Sequence, residues 1–197
     1  MKIIFATKNQ GKVREIKQIL ADMPFEVVSL KDEGIDVDVI EDGTTFEENA
    51  VKKAVEIMKL TGEICMSDDS GLEIDYLDKA PGVYSARFLG EDTPYEIKNK
   101  KVIEMLSGVP EDKRTARYIS VIATAFPDGR VITTMGTLEG IIGYEAKGEN
   151  GFGYDPIFFL PEYGKTTAEL APEFKNEISH RGKALEAMKE RLKDIIK

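Results

Sequence analysis

Hydrophobic and polar residues alternate along the chain with two periods, one typical of helices and one typical of strands. From Gly11 to Leu20 the apolar side chains recur every three or four residues, which predicts an amphipathic helix. Short runs of apolar and β-branched residues instead predict buried strands. The expected strands span residues 2–7, 25–30, 115–126 and 131–142, and the expected helices span residues 11–20, 45–60, 93–107 and a last segment from 179.

Local sequence signals refine the ends of these elements. Thr45 and Thr93 each stand three residues before a glutamate, which is the spacing of a capping box, and Pro94 would occupy the first position of its helix. Residues 127–130 have the composition of a hairpin turn, so the strands on either side of them are expected to pair antiparallel. The sheet is therefore expected to be mixed.

Two adjacent carboxylates, Asp68 and Asp69, form the centre of the candidate chemistry. Apolar residues 64–66 precede them, Ser70 and Gly71 follow them, and residues 72–74 are largely apolar again. This pattern predicts a buried strand that ends in a turn carrying the acid groups. Carboxylates at the end of a strand are suited to Mg²⁺, which prefers oxygen ligands. The alternative is an Asx turn, in which a carboxylate only caps its own backbone.

A small polar loop, residues 7–12, lies between the first expected strand and the first expected helix. A helix N-terminus presents backbone N–H groups that bind anions such as phosphate. The loop does not follow the P-loop pattern, because Ala6 stands in place of the first glycine and Val13 in place of the hydroxyl residue. Both an anion site and a plain strand-to-helix turn agree with this loop.

Two features near the C-terminus are further candidates for ligand binding. Phe152 lies between Gly151 and Gly153, where it could offer a stacking surface to a planar ring; the alternative is a loop aromatic that covers the end of the sheet. His180 is the single histidine and is followed by Arg181 at the start of the last helix, where hydrogen-bond donors converge. The alternative is a histidine with a structural role.

The composition limits the class of partner and the cellular location. A net charge of −9 over 197 residues argues against binding to a nucleic acid polymer, which needs a basic surface. No signal peptide or membrane segment is visible, and the single cysteine, Cys65, is expected to be a small buried hydrophobe, so a cytoplasmic protein is expected. The absence of repeats and linkers favours a single domain over residues 1–197.

Six ordered stretches of the chain resemble the inosine triphosphate pyrophosphatase family, in particular its bacterial RdgB-type dITP/XTP pyrophosphatases. Each stretch alone is modest, and the resemblance depends on their order and spacing across nearly the whole chain. Lys8 departs from the smaller residue of many relatives, while the Thr-x-Asn and Gly-Lys elements around it are kept. The stretches are residues 7–12, 41–50, 68–71, 81–87, 151–158 and 179–181.

The resemblance implies an α/β fold in which a long twisted mixed β-sheet is flanked by helices and two lobes enclose a central substrate cleft. It implies a homodimer that uses Mg²⁺ and hydrolyses ITP, dITP and XTP to the monophosphate and pyrophosphate. Asp69 would be the catalytic base and would bind the metal together with Glu41 and Asp68. The implied substrate-binding residues are Thr7, Lys8, Asn9, Gln10, Gly11, Lys12, Lys53, Ser70, Phe152, Gly153, Tyr154, Asp155, Lys175, His180 and Arg181.

Three other functions are weighed against this one. A nucleotide-binding regulator would keep the pocket without turnover, which the intact Glu41, Asp68 and Asp69 disfavour. A kinase or phosphotransferase is disfavoured because the chain has neither a P-loop nor a kinase-like motif. A pyrophosphatase that acts on modified pyrimidines or methylated bases is the closer rival, since it shares the enzyme class.

Overall fold

The computed structural model describes residues 2–195, which form a seven-stranded mixed sheet with helices. The strands are β1 Lys2–Phe5, β2 Glu26–Ser29, β3 Cys65–Ile74, β4 Thr115–Ala125, β5 Val131–Ile142, β6 Phe158–Leu160 and β7 Lys165–Thr166. The helices are α1 Gln10–Ile19, α2 Phe46–Thr61, α3 Tyr95–Met105, α4 Pro172–Ile178 and α5 His180–Ile195. The strand order is β2-β1-β3-β4-β5-β6-β7. β1 pairs parallel with β2 and β3, whereas β6 pairs antiparallel with β5 and β7, so the predicted mixed sheet is confirmed.

The chain divides into two compact units. The first contains the described residues up to Asp69, Ser120–Gly136 and the residues from His180 onward. It holds two apolar clusters, one that includes residues of α1 and α5 and one that includes Ile57 of α2. The second contains Ser70–Ile119 and Thr137–Ser179 and has one apolar cluster, to which β4, β5 and α3 contribute. The expected single domain stays a prediction.

The predicted start of α2 is confirmed. Oγ1 of Thr45 accepts a hydrogen bond from the backbone N–H of Glu48 at 3.1 Å, and Oε2 of Glu48 accepts one from the backbone N–H of Thr45 at 3.2 Å. These bonds satisfy donors that a helix start otherwise leaves without partners. The helix ends at Gly62, whose φ of 71° is the left-handed conformation that glycine adopts without strain.

The expected turn at Asp68 and Asp69 is wrong. β3 continues without interruption from Cys65 to Ile74, so both carboxylates lie inside a strand and neither belongs to an Asx turn. A central strand satisfies its backbone through neighbours on both sides, and β3 lies between β1 and β4. The carboxylates are instead compensated by side chains that are distant in the sequence.

The capping box predicted at Thr93 is also wrong. α3 begins at Tyr95 with Pro94 as its N-cap, and no side chain caps it. Oγ1 of Thr93 donates to the carbonyl of Leu89 at 2.6 Å, so the hydroxyl is engaged in the preceding loop. Pattern analysis also missed α4, β6 and β7, which have 7, 3 and 2 residues and are too short to show a clear hydrophobic period.

Candidate active site

β3 directs its two acidic side chains to opposite faces of the sheet. Successive residues of a strand alternate in this way, so Asp68 and Asp69 meet different neighbours although they are adjacent in the sequence. Their exposed fractions are 0% and 5%. Buried carboxylates require compensating charges or hydrogen bonds, and the two residues are compensated differently.

Asp68 is held by two cations and a hydroxyl. Its Oδ2 lies 2.8 Å from Nζ of Lys12 and 3.2 Å from Nη2 of Arg181, and its Oδ1 accepts a hydrogen bond from Oγ of Ser120 at 2.5 Å. Burial alone would raise the pKa of Asp68, but the charges of Arg181 and Lys12 outweigh it and hold this pKa far below its ordinary value. Asp68 is therefore an ionised anchor that positions Lys12 and Arg181.

Asp69 shares one ammonium group with Glu41. Nζ of Lys53 lies 3.3 Å from Oδ1 of Asp69 and 2.6 Å from Oε1 of Glu41, and it also donates to the backbone carbonyl of Asp68 at 2.9 Å. Oδ2 of Asp69 is buried and has no hydrogen-bond partner within residues 2–195. Burial raises the pKa of Asp69, and this effect outweighs the opposing charges of Lys53 and Lys12. A carboxylate of this kind has an oxygen available to orient or deprotonate a ligand.

The helices that carry the cations explain their positions. Lys12 and Arg181 lie in the first turns of α1 and α5, and Arg181 is also paired with Glu15 of α1. Lys53 is on the buried face of α2, while its neighbour Lys52 points outward to Asp42 at 2.6 Å. Consecutive helix residues point in different directions, so only one of these two lysines faces the interior.

Only part of the predicted segment 7–12 contacts the cluster around Asp68 and Asp69. Asn9 is the N-cap of α1, because its Oδ1 accepts a hydrogen bond from the backbone N–H of Lys12 at 3.1 Å. Oγ1 of Thr7 accepts a bond from the backbone N–H of Asn9, and the side chain of Gln10 donates to the carbonyl of Lys8. Lys8 itself is directed to Asp36 and Asp38, at 2.9 and 2.7 Å, and not to Asp68 or Asp69. Gly11 lies within the first turn of α1.

His180 is the first residue of α5 and is buried. The backbone of this helix start packs closely on β5, since a Cβ built on Gly136 would lie 2.2 Å from the carbonyl oxygen of His180 and 2.7 Å from the nitrogen of Ala184. Oγ1 of Thr134 donates to the carbonyl of Ala184 at 2.7 Å. β5 therefore fixes the position of His180 and of Arg181, which follows it.

In the second unit, the predicted residues near Phe152 are organised by Asp155. Its Oδ2 accepts hydrogen bonds from the backbone N–H of Phe152 at 2.8 Å and from Nζ of Lys175 at 2.6 Å, and its Oδ1 accepts one from Oγ1 of Thr167 at 2.8 Å. Phe152 is half-buried, and Nζ of Lys175 lies 5.1 Å from the centre of its ring. Asp155 therefore holds the loop that carries Phe152 as well as the cation beside it.

The remaining predicted residues of the second unit have simpler surroundings. Tyr154 is buried, and its hydroxyl donates to the carbonyl of Ser85 at 2.8 Å. Gly153 has a φ of 68°, a left-handed conformation that suits glycine. Ser70 lies on β3 and is half-buried. The structure thus gathers Lys12, Lys53 and Arg181 around Asp68 and Asp69 in one unit, and Lys175 and Phe152 around Asp155 in the other.

With this geometry in hand, comparisons with known proteins identify the family. The sequence profile described as Ham1 family matches residues 3–191. The chain belongs to the Ham1 family. A protein of Desulforamulus reducens named dITP/XTP pyrophosphatase is 53% identical over 94% of this chain and 92% of its own length. A protein of Clostridium perfringens with the same name is 50% identical over 100% of this chain and 99% of its own length. These names confirm the resemblance drawn from the sequence.

Solved structures of Ham1 proteins share the fold. The Staphylococcus aureus Ham1 protein matches with a TM-score of 0.87 and 39% identity, covering 98% of this chain and 99% of its own. A Ham1 protein from Coxiella burnetii matches with a TM-score of 0.89 and 38% identity over the same shares. The α/β fold expected from the sequence is therefore confirmed. None of the helices between residues 2 and 195 has the length and hydropathy needed to cross a membrane.

The donor set of this Ham1 chain fits a magnesium ion. Within the described residues no group of three or more His, Cys, Asp or Glu side chains is arranged around a common metal position. Mg²⁺ is commonly held by only one or two carboxylates, together with waters and substrate phosphates. Glu41 and Asp69 converge on the same ammonium, and Oδ2 of Asp69 is a buried oxygen without a partner in residues 2–195. This arrangement favours Asp69 over Asp68 as a ligand, because Asp68 already meets Lys12 and Arg181.

Several residues of the Ham1 site were not found from the sequence. Ser120, which donates to Asp68, has no distinctive sequence signal, because β4 also carries Thr115, Arg117 and Thr124. Glu15 is one helical turn after Lys12, so the spacing could have placed both on one face of α1. Thr167 has no comparable signal, because it lies in a short 3₁₀ turn that is distant in sequence from Asp155.

Proposed function

We propose that this chain hydrolyses dITP, XTP and ITP to the nucleoside monophosphate and pyrophosphate, and so removes deaminated purine nucleotides from the precursor pool. One observation carries the proposal: Asp69 is a buried carboxylate with one oxygen unpartnered among residues 2–195, and its other oxygen lies 3.3 Å from Nζ of Lys53. Relatives that are 53% and 50% identical over most of their length are named dITP/XTP pyrophosphatases.

Asp69 is the proposed general base. Water that attacks the α-phosphorus must lose a proton, and a carboxylate within hydrogen-bond reach can accept it. Oδ2 of Asp69 is buried and has no hydrogen-bond partner among residues 2–195, so it is available to orient the water and take its proton. Asp68 cannot take this role, because Lys12 and Arg181 hold its pKa far below the ordinary value.

Lys12 and Lys53 are the proposed partners of the phosphate groups. Negative charge grows on the leaving pyrophosphate, and fixed cations stabilise it. Both ammonium groups are already positioned by carboxylates, Lys12 by Asp68 and Lys53 by Asp69 and Glu41. Their side chains are 14% and 11% exposed, so the surrounding protein fixes both cations.

Glu41 and Asp69 are the proposed ligands of Mg²⁺. When bound, this ion neutralises charge on phosphate oxygens and lowers the pKa of a bound water. The chain's contribution is to hold two carboxylates at a common point, Glu41 from the loop before α2 and Asp69 from β3. Asp68, Thr7, Lys8, Asn9, Gln10 and Gly11 stay predictions as metal or substrate residues.

The second unit is proposed to recognise the purine. Phe152 would stack on the ring, and Lys175 would donate to it. Hypoxanthine and xanthine present an oxygen at the 6-position, whereas adenine presents an amino group there. Donors fixed in the site would have no acceptor when adenine is bound. Each unsatisfied donor costs about 1–3 kcal/mol of binding free energy, so two of them would cost several kcal/mol. His180, Arg181, Ser70, Gly153 and Tyr154 stay predictions for the same ligand.

The homodimer and the cytoplasmic location implied by the resemblance are also proposals. The absence of nucleic acid polymers among its partners is supported by the net charge of −9, since a polyanion would be repelled.

The decisive experiment is an assay of the purified protein with ITP, XTP, GTP and ATP, with and without Mg²⁺, in which products are separated by chromatography. We expect IMP and pyrophosphate from ITP, little product from ATP or GTP, and none without the metal. Asp69→Asn should lower kcat by at least about a hundredfold, because general-base catalysis contributes 10²–10⁴-fold. Asp112→Asn, an exposed aspartate of the second unit, serves as the control and should behave as wild type.

Each other outcome identifies a different function. Release of IDP and orthophosphate would move cleavage to the γ-phosphate and overturn the proposal. Binding of ITP without turnover would identify a regulator. If the protein prefers a modified pyrimidine triphosphate, the proposed cleavage reaction is right and the proposed purine substrate is wrong.

A further inference from the structure

α3 places two polar side chains in the interior of the second unit. Lys98 is 1% exposed and Asn99 is 4% exposed. Burial of polar groups costs free energy unless they form hydrogen bonds, so their partners indicate what they are for. The sequence pattern offered no chemistry for this helix, and none of the proposed catalytic residues lies on it.

Asn99 binds the backbone of the loop that carries Phe152. Its Nδ2 donates to the carbonyl of Gly153 at 3.1 Å. The same face of α3 supports the loop with an aromatic ring: Tyr95 packs edge-on against Tyr154, with ring centres 5.3 Å apart. A Cβ built on Gly153 would lie 3.7 Å from the ring of Tyr95. α3 therefore contacts two consecutive residues of the segment 152–155.

Lys98 binds a second loop. Its Nζ donates to the carbonyl of Ala86 at 2.6 Å, and the hydroxyl of Tyr154 donates to the neighbouring carbonyl of Ser85 at 2.8 Å. Two consecutive carbonyls are thus held by two donors, one from α3 and one from the segment 152–155. This links the helix and both loops through direct hydrogen bonds.

Lys98 does not serve as half of an ion pair. Within residues 2–195 its ammonium has no carboxylate within 4.0 Å, and its other contact is the ring of Tyr95, whose centre lies 4.9 Å away. A buried ammonium without a paired carboxylate costs free energy, and the charges of Glu91 and Asp92 act on Lys98 only from beyond that distance. We therefore expect the main role of Lys98 to be fixing the position of the carbonyl of Ala86.

We propose that Asn99 and Lys98 are positioning residues of the nucleobase site, which hold the segment 152–155 where Phe152 receives the purine and thereby set selectivity for it. The proposal rests on the proposed function, in which Phe152 stacks on the base. Recognition of a base edge requires donors and rings held to within about 0.5 Å. Asn99 acts on Phe152 through the adjacent Gly153, and Lys98 acts through Ala86 and Ser85 on Tyr154.

The test compares Asn99→Ala, Asn99→Asp and Lys98→Met with Lys101→Met, an exposed lysine of the same helix. kcat and KM are measured for ITP and ATP, and stability is measured by urea denaturation. Asn99→Ala should raise KM for ITP about fivefold, the effect of one hydrogen bond, with kcat within about twofold of wild type. The preference for ITP over ATP should fall as well, because ATP presents an amino group where ITP presents an oxygen.

The other variants sharpen the expected result. Asn99→Asp places a carboxylate against the carbonyl of Gly153, so its effect on KM should exceed that of Asn99→Ala. Lys98→Met should raise KM by more than its small effect on stability accounts for, because it removes the donor to the carbonyl of Ala86 together with an ammonium that has no paired carboxylate. Lys101→Met should leave KM, kcat and stability unchanged.

The negative outcomes are distinct. If Asn99→Ala and Lys98→Met change the midpoint of denaturation but not KM or selectivity, the two residues are only structural and the inference is wrong. Phe152→Ala separates this failure from failure of the proposed function. If Phe152→Ala raises KM and the α3 variants do not, only the positioning role is wrong; if Phe152→Ala also has no effect, the proposed base site is wrong and the inference falls with it.

Discussion

Lys53 donates to one oxygen of Asp69 and leaves the other oxygen buried without a partner among residues 2–195. The distance from Nζ of Lys53 to Oδ1 of Asp69 is 3.3 Å, and the same ammonium lies 2.6 Å from Glu41. Burial by itself would lower the pKa of Lys53, but the charges of Asp69 and Glu41 outweigh it and raise this pKa. The two proposed metal ligands therefore share an internal cation.

Replacing Lys53 should increase the thermal stabilisation that Mg²⁺ gives to the folded protein. Lys53→Met leaves Glu41 and Asp69 close together without a countercharge, so the metal-free protein should be less stable than wild type. Mg²⁺ should restore more stability to this variant, because a ligand that binds only the folded state stabilises it. We expect a Mg²⁺-induced rise in Tm that exceeds the wild-type rise by about 2 °C or more in thermal denaturation.

Lys52→Met is the matched control for this prediction. Lys52 is the preceding residue of α2 and is paired with the exposed Asp42. Its variant should show the wild-type response to Mg²⁺. An equal response from Lys53→Met would mean that Glu41 and Asp69 do not hold the ion.

Asp68 should be more important for stability than any exposed aspartate. Asp68→Asn removes the countercharge of Lys12 and Arg181 in a fully buried position, and breaking a buried pair in this way costs about 3–5 kcal/mol. The free energy of unfolding, measured with urea, should fall accordingly. Asp42→Asn breaks a surface pair and should cause a clearly smaller loss. Similar losses for both variants would contradict the role of Asp68 as a buried anchor.

Gly136 should tolerate no side chain, because β5 approaches the start of α5 there. In Gly136→Ala the new Cβ would lie 2.2 Å from the carbonyl oxygen of His180, so α5 must shift. We expect a loss of about 1–3 kcal/mol in the free energy of unfolding, measured with urea. Gly143→Ala is the control, since its nearest neighbour would be 3.5 Å away and its φ is not positive; it should unfold like wild type. A wild-type midpoint for Gly136→Ala would show that this contact is not constraining.

Cys65 should not react with a thiol reagent while the protein is folded. Its side chain is fully buried, and burial raises the pKa of its thiol from 9.0 to about 12. Since the thiolate is the reactive form, an increase in pKa and the lack of access both slow the reaction. We expect no reaction with an aromatic disulfide reagent at pH 8 and complete reaction of one thiol in urea. Rapid labelling without urea would indicate that the first unit opens around β3.

The sequence by itself determined those features that depend on neighbouring residues. The capping box at Thr45 and the end of α2 at Gly62 could be predicted because the groups that form them are within a few residues of each other. The mixed sheet followed from the hairpin at residues 127–130. The resemblance of six short stretches placed Asp68 and Asp69 at the centre of the candidate site.

Only the tertiary structure decided what the two carboxylates do. Residues 68 and 69, where a turn was expected, lie in a continuous strand. Asp68 does not need to cap its own backbone, because its charge is compensated by Arg181, 113 residues away in the sequence. Adjacent residues of a strand face opposite sides, so Asp68 meets Lys12 and Arg181 while Asp69 meets Lys53. Sequence patterns describe period and spacing along one chain. Charge compensation depends on distances in space between distant segments, and those arise only when the chain is folded.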